Sequence, residues 1–140
     1  MTAWPFWLSA LGLAAGAAMG AYGLINPRWA AALVRLRDIP EKPGGFAEVR
    51  GTYGGLFLGS HAAALALMVA AALKIEAIGG VPTEGSGLGA VAVCGAMWIG
   101  TGIGRVVSIL LDGTGTRFNR ASVGFEVVLG LAILAPWMAH

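Results

Sequence analysis

Charge is what this 140-residue sequence has least of: Asp, Glu, Lys and Arg together make up 11% of it, against roughly one quarter in a soluble domain. With 57% hydrophobic residues and a mean hydropathy of +0.77, that scarcity excludes a water-soluble globular domain and points to an integral membrane protein. Cysteine is nearly absent as well. The lone Cys94 excludes an intrachain disulfide and any CxxC redox or zinc site. The only histidines are His61 and His140, no HExxH or HxxxH pattern occurs, and neither a metal nor a cofactor is expected. Neither Ser60 nor Ser108 lies in a GxSxG pattern, which leaves no nucleophile motif. The formal net charge of +2 does not imply a nucleic-acid partner, because the basic residues sit beside apolar runs, where they report membrane orientation.

Four apolar runs are present, over about 4–25, 51–73, 88–111 and 121–138. A hydrocarbon core of about 30 Å needs about 20 helical residues, and each run supplies roughly that many. The expected fold is all-α, a single four-helix transmembrane bundle. Small residues near Ala15 and Ala17 also suit a signal peptide, but the first run lacks a basic n-region and is read as a span. The first loop carries Arg28, Arg35, Arg37 and Lys42, and the third Arg117 and Arg120, whereas the second has one Lys against Glu76 and Glu84. The positive-inside rule then puts loops one and three in the cytoplasm and both termini outside, with Trp4, Trp7 and Trp137 at the outer interface and Trp29 at the inner one.

Within the first loop, PRWAAALVRLRDI from Pro27 to Ile39 places Trp29, Leu33 and Leu36 on one helical face and Arg28 and Arg35 on another. This predicts a short amphipathic helix at the membrane surface, near anionic headgroups, with Pro27 in its first turn and Pro40 limiting its end. Glu41 to Gly45 is expected to turn into the second span. Glycines recur every fourth residue at Gly12, Gly16 and Gly20, at Gly51, Gly55 and Gly59, and with Ala96 at Gly100 and Gly104. Such seams let backbones approach closely, and packing inside one bundle is the favoured use, ahead of homo-oligomers. GTGIG at Gly100–Gly104 neither follows a strand nor opens a helix, so it is not a nucleotide loop.

Two charges interrupt the apolar runs. Arg105 and Glu126 lie about 10 Å and 9 Å from the same loop, so they share a depth and are expected to pair, lowering the cost of burying either. Glu48, Arg50 and Tyr53 at the start of the second span, and Ser108 and Asp112 late in the third, complete a polar group expected in the cytoplasmic half. In a regular helix Glu48 and Arg50 point about 200° apart and cannot both aim at one partner. The favoured role of this group is a polar clasp fixing helix packing. The alternative is a headgroup site with Arg50 and Arg105 as anchors. His61, in the middle of the second span, is expected to hydrogen-bond between helices and not to relay protons.

AEVRGTYGGLFLG from Ala47, GRVVSILLDG from Gly104 and FEVVLG from Phe125 resemble, in this order, a bacterial family of small four-helix membrane proteins catalogued as a domain of unknown function. The resemblance spans most of the chain and implies that Glu48, Arg50, Tyr53, Gly104, Arg105, Ser108, Asp112, Gly113 and Glu126 are pattern positions. Gly104 and Ser108 also have the Gly-x-x-x-Ser spacing of the sterol-biosynthesis scaffold proteins, which tether enzymes. DoxX-like membrane oxidoreductase subunits are a further four-helix likeness, from which this chain departs in having one cysteine and no evident cofactor ligand. The expectation is a non-catalytic accessory or scaffold subunit of an inner-membrane assembly, touching membrane lipids and partner membrane proteins. The alternative is a binding or transport protein for a lipid, quinone or isoprenoid.

Overall fold

A computed structural model describes residues 3–37 and 45–139. The order is α1 (Ala3–Ile25), α2 (Pro27–Leu33), α3 (Gly45–Val49), a π-helical stretch (Arg50–Leu56), α4 (Phe57–Ala72), β1 (Ala77–Ile78), β2 (Val81–Pro82), α5 (Ser86–Leu111) and α6 (Arg117–Met138). Among the described residues four helical segments, Trp4–Ile25, Phe46–Ala72, Ser86–Leu111 and Arg117–Met138, are long and apolar enough to cross a membrane. The protein is therefore all-α with the span pattern of a multi-pass membrane protein. The second and fourth helices start earlier than their apolar runs. Glu48 and Arg50 are thus helical, as are Arg117 and Arg120, because long side chains at a helix end reach back to water and do not force the helix to stop. The turn expected over 41–45, with Lys42, lies almost wholly outside the described residues.

The chain divides into two compact units, one of residues 1–12 and 64–140, the other of residues 13–63. In the first, α5 and α6 pack as a hairpin through reciprocal glycines. A Cβ on Gly95 would meet Leu134 at 2.5 Å and the Gly130 carbonyl at 3.0 Å, and one on Gly130 would meet Ile99 at 2.8 Å. Gly87 lies against Leu67 and Met68, and Gly12 against Ile133, which is fully buried. Trp98 and Phe125 meet edge to face at 5.8 Å. Trp4, Trp7 and Trp137 are largely exposed, as an interfacial aromatic belt requires.

Between the second and third spans, a two-residue turn joins β1 and β2 as a small antiparallel hairpin. Gly79 and Gly80 both have positive φ, +57° and +82°, the geometry a hairpin turn of that length demands. The buried Thr83 ties the hairpin to the end of α4, with its hydroxyl donating to the Ile75 carbonyl and its N–H donating to the Glu76 carbonyl at 3.0 Å.

In the second unit, the later turns of α1 lie almost backbone to backbone on the π-helical stretch. A Cβ on Gly20 would collide with the main chain of Leu58, one on Gly23 would meet the Tyr53 carbonyl at 2.8 Å, and one on Gly54 would meet the Leu24 amide at 2.9 Å. Here the close packing expected of Gly12, Gly16 and Gly20 is realised. The other two seams behave differently. Among the described residues nothing lies within 4 Å of a Cβ built on Gly51, Gly59, Gly100 or Gly104, and Gly55 meets the carbonyl of Arg50 in its own helix. The expectation that these seams pack inside one bundle is therefore not met within either unit: the spacing is there, but each unit leaves these positions open.

The interfacial helix is shorter than the pattern from Pro27 to Ile39 suggested. Asn26 caps α2, its Oδ1 accepting from the Trp29 N–H at 3.1 Å, and Pro27 fills the first turn. The helix stops after Leu33 because Arg35 adopts φ +61°, with the Leu36 N–H bonded to the Ala31 carbonyl and the Arg35 N–H to that of Ala32. That pair of bonds is a Schellman ending, built here on a basic residue in place of the usual glycine. α2 turns Pro27, Ala30 and Ala31 inward onto Val49, with Trp29 edge to face on Tyr22, and leaves Leu33 and Leu36 exposed. Replacing the cap, Asn26→Ala, is expected to cost about 1 kcal/mol of local stability, speeding amide exchange at Trp29 by roughly fivefold in hydrogen-exchange mass spectrometry.

Candidate functional site

Arg105 and Glu126 face each other across the α5–α6 hairpin. Glu126 is buried, and its carboxylate accepts from the Arg105 Nε at 3.0 and 3.1 Å and from Nη2 at 2.6 Å, a forked pair. Gly102 packs beside the Glu126 side chain, at ordinary contact distance from it. The expected pairing is present, and it is one end of a longer chain of contacts. Arg105 Nη1 reaches Asn119 Oδ1 at 3.4 Å, Asn119 Nδ2 donates to the Thr114 carbonyl at 2.7 Å, and the Thr114 hydroxyl lies 3.1 Å from that of Ser108. Thr116 caps α6 by accepting from the Asn119 N–H at 3.2 Å.

Asn119 and Thr114 were not singled out from the sequence. Short polar residues around a glycine turn look like solvated loop, and only the rotation of α6 shows Asn119 facing Arg105. Asp112 is the C-cap of α5, followed by Gly113 at φ +66°. The side chain of Asp112 is exposed and has no ion pair with a described residue. Chemically, the hairpin network is a carboxylate and a guanidinium that satisfy each other, extended by an amide and two hydroxyls. It holds helices in register.

Glu48, Arg50 and Tyr53 belong to the other unit and are described within it. The Arg50 guanidinium donates to the Leu24 carbonyl, in the last turn of α1. A helix end presents unpaired carbonyls and partial negative charge, which a cation stabilises. Arg50 therefore caps α1. Glu48 points elsewhere, consistent with the angular separation of the two residues: it borders a groove of about 340 Å³ together with Arg37, Phe46, Val49, Thr52 and Tyr53. Phe46 also carries the Arg28 guanidinium over its ring, 5.9 Å from the centroid.

His61 is buried, and its Nδ1 lies 2.8 Å from the Phe57 carbonyl and 3.2 Å from the Ser60 hydroxyl, both in its own helix. Its ring also fills the space over Gly16 on α1, where a Cβ would overlap it. Ser9 is also fully buried, with no hydrogen-bond partner for its hydroxyl among the described residues. Among the described residues no group of three His, Cys, Asp or Glu side chains is placed to hold a metal ion.

No curated protein and no solved structure is significantly similar to the chain. Residues 2–136, nearly all of it, match one family, with the motif positions of both polar groups inside the match. The chain belongs to the family described as domain of unknown function DUF4345.

Proposed function

We propose that the protein is a non-catalytic accessory or scaffold subunit of a larger membrane assembly, with the uncovered glycine faces as its docking surfaces. The observation carrying this reading is the contrast among glycines of the same spacing. Gly16 and Gly20 are filled by neighbouring helices, while among the described residues Gly51, Gly59, Gly100 and Gly104 have nothing against them. In lipid no hydrophobic effect drives helices together, and a row of small residues is what lets another helix come close enough for dispersion and weak hydrogen bonds to hold it. The internal saturation of the Arg105–Glu126 network agrees, because neither residue is left to serve a reaction.

The headgroup alternative with Arg50 and Arg105 as anchors has less support, as the first guanidinium is engaged by the Leu24 carbonyl and the second by Glu126. The membrane is read as the bacterial inner membrane with both termini periplasmic. The arginines at 28, 35, 37, 117 and 120 support that orientation. Native mass spectrometry of the protein extracted in nanodiscs tests the docking role. Other polypeptides are expected in fixed stoichiometry, and Gly59→Leu or Gly104→Leu is expected to release them without lowering the melting temperature of the protein itself. A wild-type protein that leaves the membrane alone, or leucine variants that retain the same partners, would count against the scaffold reading.

A further inference from the structure

The groove beside α2 has a chemistry that the scaffold role does not use. Its floor is apolar, from Phe46 and Val49. Among the described residues its rim carries one guanidinium, Arg37, one carboxylate, Glu48, and two hydroxyls, Thr52 and Tyr53. None of these four polar side chains has a hydrogen bond or ion pair within the described structure, in contrast to Arg50 and Arg105 nearby in sequence or in type. The groove lies where α2 meets the first turns of the second span, between two helices of membrane length, which puts it at the level of lipid headgroups.

We propose that this groove binds a phospholipid with a phosphoethanolamine headgroup, the phosphate at Arg37, the ammonium at Glu48, and the glycerol and first acyl carbons over Phe46 and Val49. Charge decides between lipid classes. The described rim offers Arg37 and Glu48, so a purely anionic headgroup meets Glu48 as a like charge, whereas a zwitterion complements both. Hydrogen bonding decides between the zwitterions. A primary ammonium brings N–H donors to a carboxylate, while a choline has none and depends on aromatic faces. Of the two aromatic rings here, Phe46 already carries Arg28 on its face, leaving Tyr53 alone, which does not make a cage. The volume of about 340 Å³ is at the lower end for small-ligand sites and suits a headgroup with its glycerol, the acyl tails remaining in the bilayer.

This inference is independent of the glycine faces. It is tested by native mass spectrometry of delipidated full-length protein titrated with phosphatidylethanolamine, phosphatidylcholine or phosphatidylglycerol of identical chains, and with water-soluble glycerophosphoethanolamine. One phosphatidylethanolamine is expected to bind about tenfold more tightly than either other lipid, and the soluble headgroup more weakly still. Glu48→Gln is expected to remove the preference over phosphatidylcholine, and Arg37→Gln to weaken all three lipids. Both residues are exposed, so neither change is expected to alter the melting temperature, which serves as the folding control. Equal binding of the three lipids, a preference that survives Glu48→Gln, or soluble headgroup binding as tight as the lipid would each overturn the proposal.

Discussion

Neutralising either member of the buried pair, by Arg105→Gln or Glu126→Gln, is expected to destabilise the protein by about 3–5 kcal/mol, because the partner keeps its charge in a site with little water. Arg105→Gln is expected to be the costlier change, since it strands the Glu126 carboxylate, whose side chain is 5% exposed, whereas Glu126→Gln strands a guanidinium whose side chain is 27% exposed and that still reaches Asn119. Two double variants separate pairing from ligand binding. Exchanging the residues, Arg105→Glu with Glu126→Arg, should recover part of the loss, short of full because Asn119 and Thr114 are arranged for a donor on α5. Replacing both by Met should also recover stability, as apolar substitutes for buried ion pairs often do. Thermal unfolding in detergent, followed by intrinsic tryptophan fluorescence, reads all four. Single variants as stable as wild type, with no recovery to measure, would remove the clasp interpretation.

Depth is what made that pair legible. Helical rise alone puts Arg105 and Glu126 at one level when both helices meet at a short loop, and no knowledge of rotation is needed. Rotation is what was not legible: Arg50 turns onto the Leu24 carbonyl, and the π-helical stretch starting at Arg50 shifts the register on which a 3.6-residue reading depends. The extent of α2 was overread for a different reason: apolar periodicity continues through Leu36, and nothing in the sequence signals that Arg35 takes a left-handed conformation usually left to glycine or asparagine. The hairpin at Gly79–Gly80 did have a signal, a Gly-Gly pair between β-branched residues, which a search for membrane spans passes over. Glycine spacing showed where close approach is possible, not which faces are used.

That last distinction gives the second large effect. Gly20→Ala is expected to destabilise the protein and Gly59→Ala to leave it unchanged or slightly more stable, although both are glycines at four-residue spacing on membrane-length helices. At Gly20 the new methyl would collide with the Leu58 amide and Cα, which are main chain in the middle of a helix and have no rotamer to change. α1 would have to back away, loosening its contacts at Gly16, where the His61 ring is buried, and at Gly23, where the Tyr53 carbonyl is in contact. Overpacking of this kind costs about 1–3 kcal/mol, more than the gain of about 0.5–1 kcal/mol that Ala brings over Gly in a helix. At Gly59 only that gain remains, because nothing stands within 4 Å of the new methyl. Opposite signs in purified protein, measured by reversible unfolding in detergent, would confirm that the chain uses one glycine face for its own fold and leaves another free. If Gly59→Ala proved as damaging as Gly20→Ala in the isolated protein, the uncovered face would already be part of its own packing, and the docking surface would have to be sought elsewhere.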